Sequence, residues 1–259
     1  MTIKIIQVNI WKGKFLEKLI EFLKHEDPDI ITMQEVSGGG ENFHENKSID
    51  LFVELNRGLG LDSRLGIMLR NQGDAAAYMG NAVFTKGKII ADEIVRLKPF
   101  AEVPPPHLIV RERDWPHFPT NGLDCTIEIR GTKLHALATH GAWTREPIDT
   151  PEKLRQASIV AEHLKKLNDE PFLLGGDFNV PRETKTIQLI EAVARNLSAE
   201  PPSQITRSLH PTIHKIAKEK PEGLFVDFIF GSKHFTVKSI DAPVVEVSAH
   251  LPIRATLEI

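Results

Sequence analysis

Apolar residues recur along this chain with two periods, and the alternation between them outlines a fold. "TIKIIQVNI" places Ile3, Ile5, Ile6, Val8 and Ile10 in a run that is partly alternating and partly continuous, the pattern of a strand buried on both faces. "KFLEKLIEFLKHEDPD" then spaces Phe15, Leu16, Leu19, Ile20 and Leu23 along one face of a helix that ends before Pro28. "DIITMQE" returns to a short buried strand, so the chain opens strand–helix–strand. The polar, glycine-rich "SGGGENFHENKSID" that follows reads as a mobile loop.

The middle of the chain is β in character. "NAVFTK" and "KIIADEIVRL" read as strands joined by a turn at Lys86-Gly87, and the proline-rich stretch from Lys98 to Gly122 reads as a surface excursion. "LDCTIEI" and "KLHALATH" flank Arg130-Gly131-Thr132 as a hairpin. Thr150 as cap and Pro151 at the first helical position start a helix whose expected stripe is Leu154, Ala157, Ala161, Leu164 and Leu167. "PFLLGG" is a buried strand, "ETKTIQLIEAVARNL" a helix, and "LFVDFIFG", "FTVKSIDAPVVEV" and "PIRATLEI" are further strands. With no repeat, low-complexity tract or linker, residues 1–259 read as a single α/β domain richer in strand than a simple doubly wound sheet.

Composition narrows the class without naming an activity. The 259 residues are 41% apolar and 26% charged, as in a soluble globular protein. A net charge of −3 gives no global field toward nucleic acid or an anionic membrane, though a local basic cleft stays open. The lone Cys125 leaves no internal disulfide or cysteine zinc cluster and fits a reducing compartment. No signal-peptide pattern or bilayer-length apolar run is present, so a cytoplasmic protein is expected, with a monomer as default.

Seven polar residues share one kind of address. Asn9, Glu35 and His140 end strands, Asp177 and Asn179 follow "FLLGG", Asp227 interrupts "LFVDFIF", and His250 precedes the last strand. Ligands gather at strand ends in α/β sheets, and a charge within an apolar strand requires a partner or a metal. Glu35 with an oxygen from Asn9 or Asp177 is a hard donor set suited to Mg²⁺ or Mn²⁺. His250 beside Asp227 would be an oriented base for water, and His140 and Asn179 would donate to phosphoryl oxygens. Each residue alone has an ordinary reading. Asn9 can simply end a strand, Glu35 can be a solvated acid, and "GGDFNVP" can be a local Asx turn. His135 reads as a structural histidine, and Trp143 and Arg145 are second-rank candidates for touching substrate.

Taken in order, "QVNIW", "MQEV", "GNAVFTK", "ATHGAW", the Arg155-Gln156 pair, "LLGGDFNVP", "VDFIF" and "SAHLPI" resemble the endonuclease/exonuclease/phosphatase superfamily over almost the whole chain. That family includes DNase-like and abasic-site nucleases, sphingomyelinases and inositol-polyphosphate phosphatases. The resemblance implies a DNase-like four-layer sandwich, two packed mixed β-sheets flanked by helices, with the site at one end between the sheets. It implies Glu35 as principal metal ligand with Asn9 beside it, and His140 directed at the phosphate. Asp177 and Asn179 would serve the nucleophile or leaving-group side, and Asp227 would hold the base His250. The expected activity is Mg²⁺- or Mn²⁺-dependent hydrolysis of a phosphate ester, nuclease-like, with nucleic acid among the candidate substrates. Small-molecule or lipid-headgroup esters are the alternative. The family pattern Ser-Asp-His is Ser248-Ala249-His250 here, which leaves the number of metal ions open and admits a catalytically weakened phosphate-binding member.

Overall fold

A computed structural model describes residues 1–259 except 41, 168 and 220–222. The strands, in chain order, are β1 (Thr2–Asn9), β2 (Ile30–Gly38), β3 (Asp62–Asn71), β4 (Asp74–Thr85), β5 (Lys88–Arg96), β6 (Ala101–Val103) and β7 (Asn121–Ile129). They continue as β8 (Thr132–His140), β9 (Phe172–Asp177), β10 (Arg195–Asn196), β11 (Asp227–Gly231), β12 (Thr236–Asp241) and β13 (Ile253–Glu258). The helices are α1 (Leu16–Glu26), α2 (Leu51–Leu59), α3 (Arg111–Asp114), α4 (Pro151–Lys166), α5 (Lys185–Glu191) and α6 (Lys215–Glu219).

Two mixed sheets form, ordered β12-β13-β1-β2-β4-β3-β6 and β10-β11-β9-β8-β7-β5. They pack face to face, with β1 and β2 against β9 and β8. Side-chain alternation along β1 sorts its residues between layers. Ile3 and Ile5 enter the cluster between the sheets, while Ile6, Val8 and Ile10 pack with Leu19, Leu23, Leu51 and Leu55 of the outer helices. On the other flank, Ala157, Val160, Leu164, Ile187 and Ile190 bring α4 and α5 onto the second sheet. The expected four-layer sandwich is therefore present.

Several local expectations need correction. The strands on either side of Lys86-Gly87 are not a hairpin, because β4 belongs to the first sheet and β5 to the second. The helix α2 and strand β3 fall where no element was expected, and the helix expected over 183–197 ends at Glu191 before β10. The proline-rich stretch is partly internal, since β6 pairs with β3, and Val103 and Phe118 are buried with Met68, Leu69 and Met79. The glycine-rich segment is packed where it is described, residue 41 lying outside the described residues. Ser37 and Gly38 extend β2, buried Asn42 donates to Ile49 O at 2.9 Å, and His44 Nε2 lies 3.3 Å from Gly13 O. Thr150 does cap α4, accepting from Lys153 N at 3.2 Å, a contact worth about 1 kcal/mol. Of its expected stripe Ala157, Ala161, Leu164 and Leu167 are buried and Leu154 half-buried, and the buried face is wider than the stripe, taking in Lys153, Gln156 and Val160.

Candidate active site

Along β1 the inward row changes from Ile3 and Ile5 to Gln7 and Asn9, and along β2 from Ile30 to Thr32 and Gln34. The core thus turns polar at the end of the sandwich where these parallel strands finish. Strict alternation would then send Glu35 outward with Ile31 and Met33. Instead the β2–β4 register slips between Met33 and Val36, and Glu35 adopts a left-handed φ of 61°. This bulge adds one residue between inward Gln34 and outward Val36, so two successive side chains serve the site. A left-handed non-glycine residue costs on the order of 1–3 kcal/mol, which the surrounding contacts must offset.

The second sheet supplies the rest in register. His140 pairs with Asp177 across parallel β8 and β9, and Asp177 pairs with Asp227 across antiparallel β9 and β11. Gly175 makes the approach of the two sheets possible: a Cβ there would lie 2.1 Å from Thr32 Oγ1 and 3.1 Å from Gln7 Oε1. Gln7 in turn donates to Gln34 Oε1 at 2.7 Å and to Asp227 Oδ1 at 3.3 Å, tying the sheets together beneath the site.

All seven predicted residues converge. Asn9 Nδ2 lies 3.3 Å from Glu35 Oε1 and 3.0 Å from Asp177 Oδ2, one amide between two carboxylates. Its Oδ1 accepts from Trp11 N at 2.9 Å, so the carboxamide oxygen is engaged. His140 Nε2 is 3.6 Å from Asp177 Oδ2, and its Nδ1 is buried without a partner. Asn179, at φ 54°, donates its backbone N–H to Asp177 Oδ1 at 2.9 Å, and its Nδ2 donates to Gly141 O at 3.1 Å. The Asx-turn reading of "GGDFNVP" is thus correct, and the turn leaves Asp177 among the convergent polar residues. His250 Nδ1 is 2.8 Å from Asp227 Oδ2, leaving Nε2 as the nitrogen free to exchange a proton. Ser248 Oγ anchors this stretch by donating to Asn9 O at 2.6 Å. Ala249, where the family acid is missing, is fully buried.

Electrostatics follow from three buried carboxylates at close quarters. Burial opposes charge on Glu35, but Lys12, His140 and His250 outweigh it and hold the carboxyl at about 2. Burial likewise opposes a proton on His250, yet Asp227 and Asp177 raise its pKa to about 9. Asp227 itself is raised by its complete burial, with the Asp177 charge adding to that.

Sequence reasoning missed several members. Gln7 and Gln34 sat inside quoted motifs but look like ordinary strand polars. Lys12 Nζ lies 2.9 Å from Glu35 Oε2 as an ion pair. Lys153, buried in α4, donates to Thr144 Oγ1, Ile148 O and Asn179 O at 2.6, 3.2 and 3.0 Å. Burial lowers its pKa to about 8 against the pull of Asp177 and Asp149. Its only signal was its helical spacing with Ala157, Val160 and Leu164. His214 packs edge-on to His250 at 5.6 Å, and nothing in its local sequence marks it. Trp143 and Arg145 do line the cleft, along with Arg111 and Trp115. His135 is away from the cleft, with Nδ1 3.0 Å from Asp124.

The donor chemistry fits a hard divalent cation. Glu35 Oε2 has no hydrogen bond, Asp177 lies across Asn9, and an ammonium already sits beside Glu35. Asp177, Asp227 and His250 also offer ligand atoms within 4.8 Å of one another, though the His250–Asp227 hydrogen bond occupies two of them.

The profile of the Endonuclease/Exonuclease/phosphatase family matches residues 6–250, and the chain belongs to this family, whose members hydrolyse phosphate esters. Among solved structures it is similar to an endonuclease/exonuclease/phosphatase from Bacteroides vulgatus, with 20% identity and a TM-score of 0.71 over 100% of this chain and 99% of that one. A mannosyl-6-phosphatase from Bacteroides thetaiotaomicron is 16% identical, with a TM-score of 0.67 over 99% of this chain and 100% of the other. The human nocturnin catalytic domain with bound sulfate is also 16% identical, at 0.67 over 99% and 94%. These likenesses establish the fold. No curated protein matches the chain.

Proposed function

We propose that this protein is a divalent-metal-dependent phosphoesterase acting as one domain, and that Asn9, Glu35, His140, Asp177, Asn179, Asp227 and His250 form its active site. The observation that carries this reading is the alignment of His140, Asp177 and Asp227 across three paired strands, with His250 on Asp227 and Glu35 across Asn9. Mg²⁺ or Mn²⁺ held by Glu35, with Asn9 and Asp177 beside it, would supply charge stabilisation at a phosphoryl oxygen. Asp227 fixes His250 so that Nε2 takes the proton of the attacking water. Asp177 positions that water, while His140 and Asn179 donate to phosphoryl oxygens as charge builds on them. A phosphatase and a domain with a bound sulfate anion among the structural neighbours accord with an oxyanion ligand for this fold. Among the described residues no helix is long and apolar enough to cross a membrane, and action on a soluble ester in the cytoplasm is part of the proposal.

The test is hydrolysis of chromogenic phosphate mono- and diesters with Mg²⁺ or Mn²⁺, repeated with chelator and with Asp177→Ala and His250→Ala. Chelator-sensitive turnover lost in both variants is expected. Near wild-type turnover in both would refute the assignment. Tight phosphate binding without turnover would favour the weakened, binding-only reading that Ala249 suggests.

A further inference from the structure

The wall of the cleft carries a cation that the reaction scheme leaves unused. Arg111, at the start of α3, holds its guanidinium 4.8 Å from the Trp143 ring and 6.0 Å from the Trp115 ring. These three residues line the same cleft as Glu35, His140, Asp177, Asn179 and His250. Arg111 is also near enough to His214 for its charge to oppose protonation there. The other nearby cations are differently placed. Lys12 is paired with Glu35 while resting 4.9 Å over Trp115, and Lys153 is spent on loop carbonyls and a hydroxyl. Arg145 and Arg111 are both exposed on the rim, but only Arg111 is held by rings. Among the described residues, Arg111 therefore meets the cleft held by two indoles and with no carboxylate partner. A guanidinium oriented in this way is a ready receptor for two phosphate oxygens.

Charge decides what such a receptor selects. A phosphodiester brings one negative charge to the reacting phosphorus, and a phosphomonoester brings nearly two at neutral pH. Over a floor of three carboxylates, the second charge is repelled unless a cation outside that floor receives it. A polymeric diester instead needs a track of free cations along its backbone. Several cations that might have formed one are engaged with acids, Arg64 with Asp62 and Asp92, Lys86 with Asp27, and Arg113 with Asp114, which leaves Arg145 on the rim, too little for a track.

We infer that Arg111, clamped by Trp115 and Trp143, is a specificity-determining residue that selects dianionic phosphomonoesters over diesters. The inference rests on the phosphoesterase reading for its substrate, but it can be tested without turnover. Binding of phenylphosphonate, a non-hydrolysable dianion, is compared with that of its monomethyl ester by titration calorimetry on the Mg²⁺-loaded protein, at about pH 8.5, where the phosphonate has lost its second proton and the ester carries one charge. The wild type is expected to prefer the dianion by at least about tenfold, and Arg111→Met to bring that ratio below about threefold. Arg111→Lys, which keeps the charge without the fork, should fall between them. A wild type that binds neither ligand or shows no preference overturns the inference, as does an Arg111→Met protein that keeps the full ratio. If the preference holds but neither chromogenic ester is hydrolysed, the hydrolase reading fails and the assignment of Arg111 stands.

Discussion

Replacing Asp227 by Asn keeps the shape of a fully buried side chain and removes one charge. Its Oδ2 is the partner of His250 Nδ1 at 2.8 Å, and burial alone would push the imidazole toward its neutral form. With Asp227 and Asp177 present, His250 is held at about 9 instead of 6.5. At roughly 1.4 kcal/mol per unit, that difference corresponds to about 3 kcal/mol favouring the proton in the metal-free fold. A pKa raised by folding adds stability that is complete below the unfolded value near 6.5 and lost as pH climbs through about 9. Metal-free wild type should therefore lose up to about 3 kcal/mol across this window, and Asp227→Asn should lose much less. Urea unfolding in chelator at a series of pH values measures the difference, and an NMR titration of His250 reports its midpoint directly. Because the amide also presents the wrong hydrogen-bonding partner to Nδ1, kcat should fall by about 10³–10⁴, as when other His–carboxylate pairs are neutralised. Parallel stability curves with kcat within about threefold of wild type would refute the Asp227–His250 pairing as the functional one.

Gly175→Ala forces a methyl to within 2.1 Å of Thr32 Oγ1, so it should cost about 1–3 kcal/mol in thermal or urea unfolding and reduce kcat by disturbing Gln7 and Asp227. Lys153→Met should leave the Asn179 carbonyl and the 144–148 loop without their donor, destabilising by about 1–3 kcal/mol and lowering kcat more than it raises KM; Lys153→Arg tests whether charge alone restores either. Glu35→Gln should weaken the apparent affinity for Mg²⁺, read from activity against metal concentration, by at least about tenfold. In the wild type that affinity should rise between about pH 7 and 9, because the ion and the His250 proton compete for the same carboxylates. A metal titration at each pH checks the direction.

The continuous or partly alternating apolar runs of β1, β2, β8 and β9 made the sheets legible, and the polar residues at their ends made the site legible, because buried strands tolerate few such substitutions. What stayed hidden is what local pattern does not encode. The turn at Lys86-Gly87 looks the same whether β4 and β5 pair or separate into different sheets. Glu35 sits where simple alternation would face it outward, and only the bulge, a property of the β2–β4 pair, turns it in. Lys12 and His214 lie on segments without periodicity, and Arg111 is one of several loop cations available for phosphate in the sequence, so only the folded chain sorts them into the cleft.

The cost of this arrangement explains those late arrivals. Glu35, Asp177 and Asp227 are all nearly or completely buried, and like charges so placed destabilise the fold unless cations answer them. In the metal-free chain the answers are local and of different kinds. Lys12 stands beside Glu35, His250 takes up a proton against Asp227 and Asp177, and Lys153 lends its field to Asp177 from behind the Asn179 turn. The first two act on the oxygens a divalent ion and a water would use, so they preserve the carboxylate geometry while remaining displaceable. Lys153 has three hydrogen bonds of its own and is not displaceable, which makes it part of the scaffold. Arg111 differs from all three, because its charge is directed at the cleft and the carboxylate floor does not consume it. On the proposed reading, a site built in this way would balance a divalent ion with groups that can leave, and Arg111 would receive the charge that the substrate brings.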